Sequence, residues 1–264
     1  RFITLICIPQ GSVNGQSLKT SEHTTTFSWN MKVSFEVLNM MISPESYYEN
    51  YLKDKTADEI LSTIRGLKNE IGRLKNIVEH PEYVCTIHPS EKVRISCNRE
   101  YLERAKQALV DMGVGYKPSN TELKVAEFDE NLPYITSVVL CIGGYFYGND
   151  EYKVVLMDND ALFSFGHSDI PSQPDEITVM DINITKEEFL EELRRLHIGE
   201  WRKNYNTRRF GYGVCDGTQW SLEIHYSNCI KPVRIYGDNA YPYNFDDFKE
   251  LMGCYNAEED DEDE

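Results

Sequence analysis

The residue types that could do chemistry are few and scattered along the 264-residue chain. His167, Ser168 and Asp169 supply the types of a hydrolytic triad, but three neighbours in sequence cannot adopt its geometry, and no nucleophile elbow accompanies them. An exposed loop is the expectation there. Asp158-Asn159-Asp160 opens like a calcium loop, yet Phe163 and Asp169 stand where that loop needs its glycine and its closing glutamate. This reads as a turn at a strand end. Cys85-x-x-His88 has ligand spacing without a second pair near it, so no metal site is expected. Gly143-Gly144 lacks the glycine spacing and the lysine of a phosphate-binding loop. Glu187, Glu188, Glu191 and Glu192 read as a solvated helix face. None of these patterns implies a cofactor, and a hydrolase or transferase site would have to be assembled from dispersed groups such as His167, Asp158, Cys215 and His225.

A different cluster suits binding better. Trp201, Tyr205, Arg208 and Arg209, with Phe210 and Tyr212, place aromatics and most of the local positive charge in one short stretch. Aromatic and arginine side chains are the usual anchors of recognition surfaces; the other reading, which carries more weight, is that these aromatics fill the core and the arginines balance an acidic neighbourhood. Asn239 and Tyr241 are expected at the mouth of a pocket formed with Trp201.

The elements that must position these residues read as an α+β protein, with small antiparallel sheets covered by amphipathic helices. Ile60, Ile64, Leu67, Ile71, Leu74 and Val78 form one apolar seam over 57–79, opened by the capping box of Thr56 and Glu59. Alternation in Tyr83–Ile87 and Val93–Cys97 predicts a hairpin, and Asn98 is expected to cap a helix that stops at Gly113. The polar stretch Asp129–Pro133 suggests a boundary, separating an α+β domain over 31–130 from a second over 133–256. In the second half, strands are expected over 134–142, 152–157, 177–184 and 233–236. A helix runs from the capping box Thr185/Glu188 to His197, and Asn244 is expected to cap a final helix ending at Gly253. The Asp216-Gly217 turn predicts a hairpin of Phe210–Cys215 with Thr218–Tyr226.

Composition narrows the function classes. Hydrophobic residues make up 41% of the chain and aromatics 12%, enough for packed cores, and no run is long enough to span a membrane. The formal charge is −17, and Glu258–Glu264 is wholly acidic. Such a field repels nucleic acid and anionic membranes and suits a basic protein partner. Seven cysteines, odd in number and without a C-x-x-C pair, fit reduced thiols in the cytoplasm. Met31-Lys32-Val33-Ser34-Phe35 reads like a natural start, so residues 1–30 are expected to be a poorly structured leader, and 257–264 a disordered acidic tail.

Asp216-Gly217-Thr218-Gln219-Trp220-Ser221-Leu222-Glu223-Ile224, followed by Tyr236-Gly237-Asp238-Asn239-Ala240-Tyr241-Pro242-Tyr243-Asn244-Phe245, resembles a pattern of uncharacterised proteins of gut bacteria over about residues 200–253. The resemblance implies a bacterial, cytosolic protein and carries over no catalytic residue. The expected function is a non-enzymatic protein- or peptide-binding module, in its sharper form an acidic inhibitor or immunity-type protein, using Trp201, Tyr205, Arg208, Arg209, Asn239 and Tyr241.

Overall fold

The computed structural model describes residues 42–144, 148–168, 176–214 and 216–254. The expected leader, Cys215 and the acidic tail lie outside the described residues. Four helices come first: α1 (Pro44–Tyr51), α2 (Ala57–Val78), α3 (Glu91–Asp111) and α4 (Asn120–Asn131). The strands follow as β1 (Ile135–Gly144), β2 (Gly148–Leu156), β3 (Ala161–Ser168) and β4 (Glu176–Val179). Then come α5 (Lys186–Arg195), β5 (Asn204–Asn206), β6 (Thr218–Tyr226), β7 (Val233–Asp238) and α6 (Phe245–Leu251).

The α+β class stands, with a different division of labour. The sequence predicts two small sheets; the structure holds one seven-stranded sheet in the order β4-β3-β2-β1-β6-β7-β5. Its pairs are antiparallel except β5 with β7. The expected first α+β domain is helical throughout its described elements. Tyr83–Ile87 is irregular chain with Val84 and Ile87 exposed, and Val93–Cys97 belongs to α3. The Ser90 side chain accepts a hydrogen bond from the Val93 amide and starts that helix two turns before Asn98, which is buried inside it.

Two hydrophobic clusters result. α1, α2 and α3 pack around Tyr47, Ile64, Leu74, Ile95 and Leu109, and the predicted seam of α2 is the face they bury. The second cluster lies between one face of the sheet and α4, α5 and α6, with Val138, Leu140, Val154, Phe163, Leu222 and Ile224 from the strands against Phe128, Phe189 and Phe248. Phe128 on α4 sits in this second core, so the expected boundary near residue 130 falls within the sheet's own packing.

Both capping boxes exist as read: Thr56 with Glu59, and Thr185 with Glu188. The predicted hairpin across Asp216-Gly217 does not. Thr207–Phe210 is a 3-10 turn, Gly211–Val214 is irregular, and β6 pairs instead with β1 and β7. Long-range burial of Trp220, Leu222 and Ile224 selects those partners over the local turn signal.

Candidate functional site

All three covering helices lie on one side of the sheet. The other face carries Leu162, Ser164 and Gly166 of β3, Glu151, Lys153 and Val155 of β2, Val139 and Cys141 of β1, and Ser221 and Glu223 of β6, side by side in register. No described helix packs on it. Toward β7 this face forms a cavity of about 740 Å³ lined by Cys141, Glu151, Ser221, Gln219, Tyr236 and Arg208. Toward β4 it becomes apolar: Leu162 is 51% exposed, Ile177 65% and Val179 77%. A smaller cavity of about 250 Å³ links the two regions through Glu151, Lys153 and Ile177. The Cys141 thiol faces Glu151 Oε2 at 3.9 Å; burial first, then that carboxylate, pushes its pKa up, which leaves a protonated and weakly nucleophilic thiol.

The predicted binding residues do not share one surface. Trp201 is buried and donates from Nε1 to Asn244 Oδ1 at 3.1 Å, and its ring meets Trp220, Phe245 and Phe248. Tyr205 is buried, and its hydroxyl accepts from the Arg202 amide at 3.1 Å. Arg209 reaches back to α2, donating to Glu79 Oε2 at 2.6 Å and to Asn76 Oδ1 at 2.7 Å. Tyr241 stacks on Trp220. Asn239 adopts a left-handed backbone (φ 51°), and its Oδ1 accepts from the Thr218 amide at 2.9 Å. The expected pocket mouth is therefore an aromatic core joint. Tyr205 and Arg208 do line the open-face cavity, at its β5 margin.

The dispersed enzyme set does not converge either. His167 lies on the helix side of β3 and pairs through Nδ1 with Asp150 Oδ1 at 2.7 Å. His225, opposite Ser137, lies on the uncovered face three strands away, with Glu223 Oε2 at 3.3 Å. Cys215 is outside the described residues. Among the described residues no group of three or more His, Cys, Asp or Glu is placed to hold a metal ion.

Sequence reasoning missed a second concentration of charge, where the helical layer meets the sheet. Glu200 receives Arg99 in bidentate fashion at 2.7 and 2.6 Å and also Lys75. Burial raises the Glu200 carboxyl pKa, but the Arg99 hydrogen bonds and the charges of Lys75 and Arg99 outweigh it and hold it at about 2. His197 beside them has a left-handed backbone (φ 50°), and burial, reinforced by the Arg99 charge, lowers its pKa to about 4. Glu200 lies 101 positions from Arg99 and 125 from Lys75, so no local pattern signals these pairs.

The described residues thus define an α+β protein with one mixed sheet, covered by helices on one face and by no described helix on the other, joined to a helical layer by part-buried ion pairs. No family model, curated protein or solved structure matches the chain. No helix among the described residues is long and apolar enough to cross a membrane.

Proposed function

We propose that this chain is a non-enzymatic binding module of a bacterial cytoplasm that recognises a segment of a basic protein, and that the uncovered face of the sheet is its recognition surface. The observation that carries the reading is the exposure of Leu162, Ile177 and Val179 together on that face, next to a polar cavity and at the outer strand of the sheet. Edge strands with apolar side chains are templates for an added strand, which supplies backbone hydrogen bonds while alternate side chains meet the face. The formal charge of −17 favours a basic partner and makes capture sensitive to salt, as an inhibitor or immunity-type role requires.

The test uses the full chain as bait at low and high salt, beside an Ile177→Glu/Val179→Glu variant and a Val110→Glu control on the helical layer. The reading expects one basic partner, kept by wild type and control and lost by the face variant and at high salt. Retention by the face variant sinks it.

A further inference from the structure

A third cavity, of about 500 Å³, opens between α4, the turn Ile198–Glu200 and the connection from β6 to β7. Its floor is apolar, with Phe128, Ile198, Trp201 and Ile235 all buried. Its rim carries three lysines, Lys124, Lys203 and Lys231, against the single carboxylate of Glu127; Arg234, opposite Glu223 in register, turns its side chain to the uncovered face. In a chain of formal charge −17 the local sign is reversed. Arg234 is engaged by Glu223 at 2.9 Å, whereas Lys124, Lys203 and Lys231 make no ion pair among the described residues. Lys68, Lys75 and Lys106 each face a carboxylate, and Lys117, Lys153 and Lys186 pair with none among the described residues; what distinguishes Lys124, Lys203 and Lys231 is that they gather at one hollow. Three exposed lysines gathered without internal counterions around an apolar hollow make a local positive field that favours an anion with an apolar body.

We propose that this cavity binds a small organic anion with an apolar body, of the class of a free medium-chain fatty carboxylate. The hydrocarbon would lie on Phe128, Trp201 and Ile235, where it leaves water, and the carboxylate among the three lysines at the rim. The volume falls within the ~300–1,000 Å³ of small-molecule sites, and an apolar wall with a few convergent charges is their usual make-up. The exposed lysines discriminate between head groups while the floor supplies most of the affinity, so the preference for an anion weakens with salt. The site is on the helix side of the sheet and is independent of the recognition surface proposed above.

Octanoate, 1-octanol and octylammonium share one chain and differ in charge, and each can be titrated into the full protein at low ionic strength by calorimetry, with tryptophan fluorescence as a second readout. Octanoate is expected to bind roughly tenfold or more tightly than octanol, with octylammonium weakest. A Lys124→Gln/Lys203→Gln/Lys231→Gln variant should lose that order while still binding octanol, which reports an intact floor. An Arg65→Gln/Lys117→Gln/Lys153→Gln variant, equal in net charge, should keep it. Equal binding of octanoate and octanol by wild type overturns the proposal without any variant. Loss of the order in both variants overturns it as well, as does no binding, or binding only to anionic phospholipid vesicles.

Discussion

Arg99 of α3 and Glu200, 101 residues later, close a bidentate ion pair at 2.7 and 2.6 Å, and the same guanidinium donates to the Tyr243 hydroxyl at 3.2 Å. One carboxylate thus holds two cations of the helical layer, Arg99 and Lys75, against the sheet layer. The side chains of all three are at most 20% exposed, so the pair is hard to break from one side. Glu200→Gln leaves both cations without their counterion and should cost about 3 kcal/mol or more in urea unfolding, the range for breaking a buried pair. Glu49→Gln, which removes a pair to Lys53 with both side chains about half exposed, should leave the unfolding midpoint essentially unchanged. Similar small effects for both would show that Glu200 is solvated.

The same cluster sets a pH dependence. His197 has a folded pKa of about 4, below the roughly 6.5 of an unfolded histidine, so on acidification the unfolded chain takes up a proton that the folded chain refuses. Stability should therefore fall as pH drops from about 6.5 to about 4 by something on the order of 1–2 kcal/mol, discounted for the partial exposure of the ring. Glu200 acts in a lower window: its stabilisation is complete above about 4.3 and is lost as pH falls toward the folded pKa of about 2. His197→Asn removes the titration and keeps a residue that tolerates the left-handed backbone. Its unfolding midpoint should be flatter than wild type between pH 6.5 and 4 and should fall alike below pH 4.

Gly237 lies against the indole of Trp220, and a Cβ there would stand 1.8 Å from Nε1. That nitrogen donates to Ala240 O at 3.0 Å, so the ring cannot turn away without losing its partner. Gly237→Ala should cost about 2–3 kcal/mol through overpacking. Asn239 is bound to the same joint by its left-handed backbone and its acceptance from the Thr218 amide. Asn239→Gly keeps the backbone and loses the hydrogen bond, at about 1 kcal/mol; Asn239→Ala adds backbone strain and should cost about 1–2 kcal/mol more. Equal effects of the two Asn239 substitutions would remove the backbone argument.

Local signals carried much of the fold. The six-residue seam and the Thr56/Glu59 box define α2, and Thr185/Glu188 defines α5, because both depend on residues within a turn or two of each other. Readings failed where a local pattern met a stronger competitor. Tyr83–Cys97 alternates like a hairpin, but the Ser90 cap gives residues 91–111 a helix with Ile95, Leu102 and Leu109 on its buried side. Asp216-Gly217 signals a tight hairpin, but β6 gains more from β1 and β7. Asn244 shows no side-chain cap; its amide accepts from Trp201 and donates to Leu196 O at 2.7 Å. The surface proposed for recognition was the least legible part. Trp201 has the composition of an interface and the environment of a core, Tyr241 is half-buried beside it, and only the sheet order shows which face the described helices leave uncovered.

Leu162 and Phe163 are neighbours in β3 and test that sidedness directly. Phe163 is 2% exposed and meets Phe189 of α5 edge to face, while Leu162 is 51% exposed on the uncovered side. Phe163→Ala removes a large side chain from a packed core and should cost about 3–5 kcal/mol. Leu162→Ala removes little that is out of water and should stay within about 0.5 kcal/mol. Stability measured on the isolated chain separates the two outcomes. A large loss at Leu162 would mean that another part of the chain covers this face in solution, and the surface proposed for partner recognition would then be internal packing. A large loss at Phe163 alone leaves the face open to a partner, and Leu162→Ala then becomes a variant that weakens binding without weakening the fold.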